Sequence, residues 1–312
     1  MYDRRRFIRD TGLALGGLAL FSGQVAGEGL TSLQVPPITI IPNDGGGLAT
    51  IEIHLGNSVA WDYDRYGDKY ALDMRNDLLT KYAGNHVMWQ KGGDTVKDRA
   101  LLNIPSSLAT DQRGRVYVTD IGNSRVLVMS RNGKLLEVIR PTRKMRLRYP
   151  QDLAVANDRV YVADTMNHQI DIYDRHGRHK SSFGSLGLPY DDLNGPTSVA
   201  VGTDSDIFVV DKGNRAIKVF NHSGVLLDIY DGSKLGGIPS FNPGYISMGP
   251  DGILYAADTN AGTVAAMTQR GRLLDTVKLV LADGSIAQPR YLAFSPTGSL
   301  VVSAYSTLPA SA

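Results

Sequence analysis

Val160-Tyr161-Val162-Ala163-Asp164-Thr165-Met166-Asn167-His168-Gln169-Ile170-Asp171-Ile172-Tyr173 reads as a β-strand ending in Asp, a polar loop holding Asn, and a second strand. The same phrase recurs along the chain. Asp closes VYVTD at Asp120, IFVVD at Asp211 and LYAAD at Asp258, and a fainter copy, YALD, ends at Asp73. The last copy, LVVSA, carries Ala304 in the Asp position. The steps are 47, 44, 47, 47 and 46 residues, a period that marks an array of like units.

Each copy follows one grammar. Pro105, Pro150, Pro196, Pro243 and Pro289 open five copies, where a strand needs no ladder donor. A short strand with small residues follows, then a turn, then the Asp-ended strand. Asn falls three residues after the Asp at Asn76, Asn123, Asn167 and Asn214, and Gly falls 13 after it at Gly133, Gly177, Gly224 and Gly271. Asn132-Gly133 is a strong hairpin signal. The unit is therefore four antiparallel strands, which cannot bury both faces alone but can when repeated around an axis.

The first copy aligns Ser58-Val59-Ala60-Trp61 with Ser107-Leu108-Ala109-Thr110 if two residues are added before Gly67. The last copy stops at about Tyr305, two strands short. Ile38 to Ile41 and Leu48 to Ile53 read as strand, turn, strand and supply the missing pair. The expected fold is all-β: a six-bladed β-propeller with one blade closed by N- and C-terminal strands, which leaves no open edge.

Composition fits one large domain: 312 residues, 42% hydrophobic and 21% charged. There is no cysteine, which excludes disulfides, thiolate metal sites and a cysteine nucleophile. Asp3-Arg4-Arg5-Arg6-Phe7-Ile8-Arg9, followed by a short apolar run from Leu13 to Phe21, resembles a twin-arginine export signal. Residues 1–27 are expected to be that signal, 28–312 the propeller, and the location periplasmic. Removing 1–27 takes away four of 33 basic and two of 31 acidic residues, leaving 29 of each. A mature chain of zero formal charge has no global field to attract nucleic acid, and none is expected as partner. Neither is a membrane span, because the apolar run is far short of about 20 residues.

"DTMNHQIDIY" and "DKGNRAIKVF", with the Gly turns "DRHGR" and "NHSGV", resemble NHL repeats over about residues 58–304. The resemblance implies a six-bladed propeller; it leaves function open, because the fold hosts enzymes, RNA binders and protein-binding modules.

The recurring Asp and Asn read as blade architecture, with each Asp accepting backbone N–H bonds in the loop between second and third strands. His168 reads as a blade-packing residue. Propellers resembling peptidyl-hydroxyglycine amidating lyases hold zinc with histidines just after the blade-opening Pro. Here those positions are Ser106, Gln151, Thr197, Gly244 and Arg290. The Glu, Asn and Asp set of gluconolactonase-like propellers does not fall on these positions, nor do the channel histidines of virginiamycin-lyase-like sites. No metal and no cofactor is expected.

Two regions carry chemistry. At the channel mouth, Gln151, Asp152, Tyr245, Arg290 and Tyr291 form either a clamp for a carboxylate, phosphate or sugar, or a water-filled polar channel. Arg140, Arg143, Lys144, Arg146 and Arg148 form a basic run in the link from blade two to blade three. The run is either a solvated loop or a docking surface; NHL propellers that bind RNA use a basic face of this sort. For an exported protein the expected partner is a periplasmic protein or an anionic small molecule or glycan, and the chain reads as a binding or scaffold module. The alternative is a non-zinc lyase or hydrolase using Arg290, Tyr245 and Tyr291 at the channel mouth.

Overall fold

A computed structural model describes residues 38–42, 51–55, 59–93, 101–140, 146–186, 192–236, 238, 240–281 and 284–305. Met1–Val35 and Pro36–Ala312 form two units, and all described residues belong to the second. The expected export signal lies outside the described residues.

Blade three shows the plan. Pro150–Ala156, Arg159–Asp164, Gln169–Asp174 and His179–Phe183 pair antiparallel in sequence order. Blades one, two, four and five repeat it over 59–92, 105–139, 196–230 and 245–281. Strand character changes from first to fourth because burial does. Val116–Asp120 and Ile207–Asp211 are buried at every position, since neighbouring sheets cover both faces, and apart from Thr119 they are runs of Val, Ile, Phe and Tyr ending in Asp. Each such buried side chain contributes about 1.5–3 kcal/mol. The outer strand His179–Phe183 is largely exposed and polar. Gly177, at φ 73°, closes the turn between third and fourth strands by donating to the Asp174 carbonyl at 2.9 Å; a Cβ there would meet Ile139 at 3.1 Å.

The terminal strands depart from expectation. Ile51–Leu55 does join Leu300–Tyr305, but in parallel, giving a three-stranded sheet with Gln288–Phe294. Ile38–Pro42 lies antiparallel on Leu273–Leu281, as a fifth strand of blade five. Five blades are thus complete, and the expected six-bladed ring with a composite four-stranded blade is not formed. The physical reason is that an apolar strand-turn-strand pattern matches any open sheet edge, and the nine-residue last strand of blade five offers one. The first strands nevertheless follow one another around the axis, with Gln288–Phe294 lying between those of blades five and one.

Register also corrects the first blade. Ala60 pairs with Leu72, one residue before Asp73, as Asp152 pairs with Ala163, one before Asp164. Ala60, not Ser58, therefore stands at the level of Ser107 and Asp152, and no residues need to be added.

Candidate functional site

The first strand of each blade pairs on one side only, so its axial edge carries N–H and C=O groups that need partners. Side chains from neighbouring first strands supply them. The Asp152 carboxylate accepts from Ser107 Oγ at 2.5 Å, Ser198 Oγ at 2.6 Å and the Val199 N–H at 3.0 Å. Ser198 Oγ accepts from the Ile246 N–H at 3.1 Å, and Asp62 accepts from the Thr110 N–H at 2.6 Å. Tyr291 donates to the Leu108 carbonyl at 2.8 Å, and its ring lies 4.4 Å from that of Tyr245.

This belt fixes the electrostatics of the axis. Asp152 is buried, and burial pushes its carboxyl up to about 6 against the donors that favour its charge. Asp62 keeps some exposed surface, yet burial, with a smaller push from Asp64, lifts it to about 6. Burial first, then the Asp152 charge, holds the Tyr245 and Tyr291 phenols well above their ordinary range. Both stay neutral hydrogen-bonding groups at any physiological pH.

The five channel-mouth residues are therefore not one set. Asp152 and Tyr291 are buried in the belt and Tyr245 is half-buried beside them. Arg290 is exposed, its guanidinium 4.5 Å from the Tyr305 ring centroid. Gln151 is half-buried and accepts from Thr165 Oγ1 at 3.2 Å. Among the described residues no three His, Asp or Glu side chains converge as metal ligands would.

The Asp of the repeat does the expected task in blades one and five and a different one in blades two to four. In blades two to four one carboxylate oxygen grips the link that leads into the blade: Asp120 accepts from the Asn103 N–H, Asp164 from Arg148 and Asp211 from Asn194, each at 2.7 Å. The other oxygen accepts from the Asn three residues on, at 2.6–2.9 Å. Asp73 and Asp258, the repeat Asp of blades one and five, hold backbone N–H groups of their own loop as expected. His168, in the left-handed region at φ 56°, accepts on Nδ1 from the Gly195 N–H at 2.9 Å and so ties blade three to the next link.

Of the basic run, Arg140, Arg146 and Arg148 are exposed, while Arg143 and Lys144 lie outside the described residues. Leu147 is buried and anchors the link. Asp164 holds the Arg148 N–H, Asn167 Nδ2 donates to the Arg146 carbonyl at 2.5 Å, and the Met166 N–H donates to the Arg148 carbonyl at 3.2 Å. Two arginine side chains are thus presented by a fixed backbone.

Sequence reading missed three exposed apolar side chains at the blade entries and the loop under this link. Ile104, Tyr149 and Met166 are 56%, 41% and 54% exposed. Ile104 and Tyr149 directly precede the blade-opening prolines at φ 51° and 88°, where blade four uses Gly195 at φ 67°. A left-handed non-glycine residue costs about 1–2 kcal/mol. The signal in the sequence is the contrast of Ile-Pro and Tyr-Pro with Gly-Pro at one repeat position. Asp62 was missed as well: it stands at the level where Ala109, Ala154, Ala200 and Ala293 lie in four other sheets and Ser247 in blade five, visible only once register is known.

The model of a family described as NHL repeat matches residues 102–129 and 147–173. Protein brain tumor of Drosophila melanogaster is 30% identical over 128 residues, 40% of this chain and 12% of that protein, so this chain spans a small part of that relative. A streptogramin B lyase superposes with a TM-score of 0.57 at 12% identity, over 84% of this chain and 93% of that one. A gluconolactonase of Xanthomonas campestris superposes with a TM-score of 0.59 at 17% identity, over 80% and 84%. At such identities the likeness speaks for fold alone. Register, blade plan and repeat match converge: this chain carries NHL repeats on an all-β propeller fold.

Proposed function

We propose that the chain is an exported propeller that serves as a binding or scaffold module. It captures a periplasmic protein or an anionic ligand at the end where the first strands open, between blades two and three. The observation that carries this reading is the pairing of exposed Tyr149, in left-handed backbone, with Arg146 and Arg148 on a link pinned by Asp164. Backbone strain and exposed aromatic surface both cost stability, and a binding role accounts for their being kept. Guanidinium groups on a fixed backbone favour carboxylate or phosphate partners.

The axial belt argues against chemistry at the channel mouth, because Asp152, Ser107, Ser198 and Tyr291 spend their hydrogen bonds on one another and on strand edges. Among the described residues no helix is long and apolar enough to cross a membrane. Capture from periplasmic extract by wild type and by the Arg146→Glu/Arg148→Glu variant tests the proposal. Wild type is expected to retain a discrete partner that salt releases, and the variant to lose it. Equal retention by both overturns it. Export is tested by fusing residues 1–27 to a reporter: Arg4→Lys/Arg5→Lys is expected to leave the reporter in the cytoplasm.

A further inference from the structure

In blades two to five the repeats place one residue, seven after the Asp, on the strand beside it, diagonally across the ladder: Leu127, Asp171, Lys218 and Ala265. In blade four the contact is an ion pair, Lys218 Nζ to Asp211 at 2.9 Å with both side chains fully buried. In blade two Arg125 neutralises Asp120 from elsewhere, at 2.7 Å. In blade three the position holds a second carboxylate. Asp164 and Asp171 are 0% and 1% exposed, and among the described residues no Lys or Arg side chain pairs with either.

The surroundings favour one negative charge, not two. Asp164 already receives the Arg148 N–H and the Asn167 amide. Asp171 receives Gln169 Nε2 at 2.9 Å and the Ser182 hydroxyl. The titratable groups near the pair are His179, whose Nε2 lies 3.8 Å from Asp171, and Tyr173. On the face shared with Tyr173, blade two and the link contribute Val126, Val128, Ile139, Leu147 and the ring of Tyr117, whose hydroxyl is turned to Asp111. None carries a cation. Two adjacent carboxylates in such a place cannot both ionise without large cost. A path to solvent exists, because His179 is exposed and its Nε2 is 2.9 Å from Ser182 Oγ.

We infer that blade three contains a proton-operated latch: buried Asp164 holds a proton beside Asp171, exchanged with solvent through Ser182 and His179, and its loss loosens the link at residues 146–149. Burial and the Asp171 charge raise the Asp164 carboxyl to about 7, which puts the release near neutral pH. With the link closed Asp164 keeps its proton to that pH; with the link open it ionises at its ordinary value, 3.8. Opening is therefore favoured progressively as pH rises between these limits, and levels off above. The latch needs no partner, so it stands or falls apart from the binding proposal.

Amide hydrogen exchange at pH 5 to 9 tests it. The Arg148 N–H is compared with the Asn103 and Asn194 N–H groups, which make the same bond to Asp120 and Asp211 and act as internal controls for intrinsic rate. Protection at Arg148 relative to the controls is expected to fall by up to about tenfold per pH unit below pH 7 and then to flatten. Asp171→Asn, which removes the neighbouring acid and offers an amide donor in its place, is expected to reduce the fall to what burial of Asp164 alone sustains. A carboxylic-acid carbonyl band in the infrared difference between wild type and Asp164→Asn at pH 6, where Asp62 and Asp152 contribute to both spectra and cancel, is the second readout. A constant Arg148-to-control ratio across the range, or no such band, overturns the inference.

Discussion

Asp152→Asn should stabilise the protein at neutral pH, although it removes a charge that accepts three hydrogen bonds. The folded carboxyl sits at about 6 and the unfolded one at 3.8. Folding therefore takes up a proton between these values, and stability is lost as pH rises from 4 to 6. The difference of roughly two units corresponds to about 3 kcal/mol, undiminished by solvent because the group is buried. Asn resembles the protonated acid and cannot ionise. It still offers one oxygen to Val199 N–H and Ser198, but its NH2 meets the Ser107 hydroxyl, which must rotate to accept; that exchange costs about 1 kcal/mol. Asp152→Asn is thus expected to be about 1 kcal/mol less stable than wild type at pH 4 and about 2 kcal/mol more stable at pH 7. Asp152→Ala leaves the donors without an acceptor and is expected to lose about 1–3 kcal/mol for each donor that water does not reach. Urea unfolding of the three proteins at pH 4, 5, 6 and 7 measures this. A wild-type-minus-Asn difference that does not change with pH refutes the reasoning, since the buried acid would then be ionised without cost.

Other consequences concern separate parts of the fold. Lys218→Met strands the Asp211 carboxylate in the core and is expected to cost about 3–5 kcal/mol in urea unfolding, much of it recovered by adding Asp211→Asn. Arg290→Ala, at an exposed position resting on Tyr305, is expected to change stability by less than about 0.5 kcal/mol and leave partner capture intact. Tyr149→Gly relieves the left-handed backbone at about the entropic cost of glycine, so unfolding free energy should move by less than about 1 kcal/mol while capture is weakened.

Blade grammar was legible because it is local. A strand ending in Asp, an Asn three residues on and a turn glycine 13 on are set by one hairpin's geometry and recur at one period. What lay between blades was not. The Asp164 carboxylate reaches back 16 residues to the Arg148 N–H, and nothing in its own loop announces that. Asp152 was singled out as polar, but only register shows it bonded across three blades to Ser107 and Ser198. The terminal strands were read correctly as strands, while the edges they occupy depend on which open ladder they meet. The basic run was visible as charge; that Tyr149 stands beside it in left-handed backbone follows from the shape of the turn before Pro150.

The claim on which the functional account rests is that a partner is held between blades two and three at the end where the first strands open. A photo-crosslinking residue placed at Tyr149, and separately at exposed Arg113 in the first-to-second-strand turn of blade two, locates any partner in intact cells. A discrete adduct from position 149 that disappears on Arg146→Glu/Arg148→Glu, with none from position 113, is predicted. An adduct from position 113 alone, or one from 149 indifferent to the charge reversal, contradicts the account.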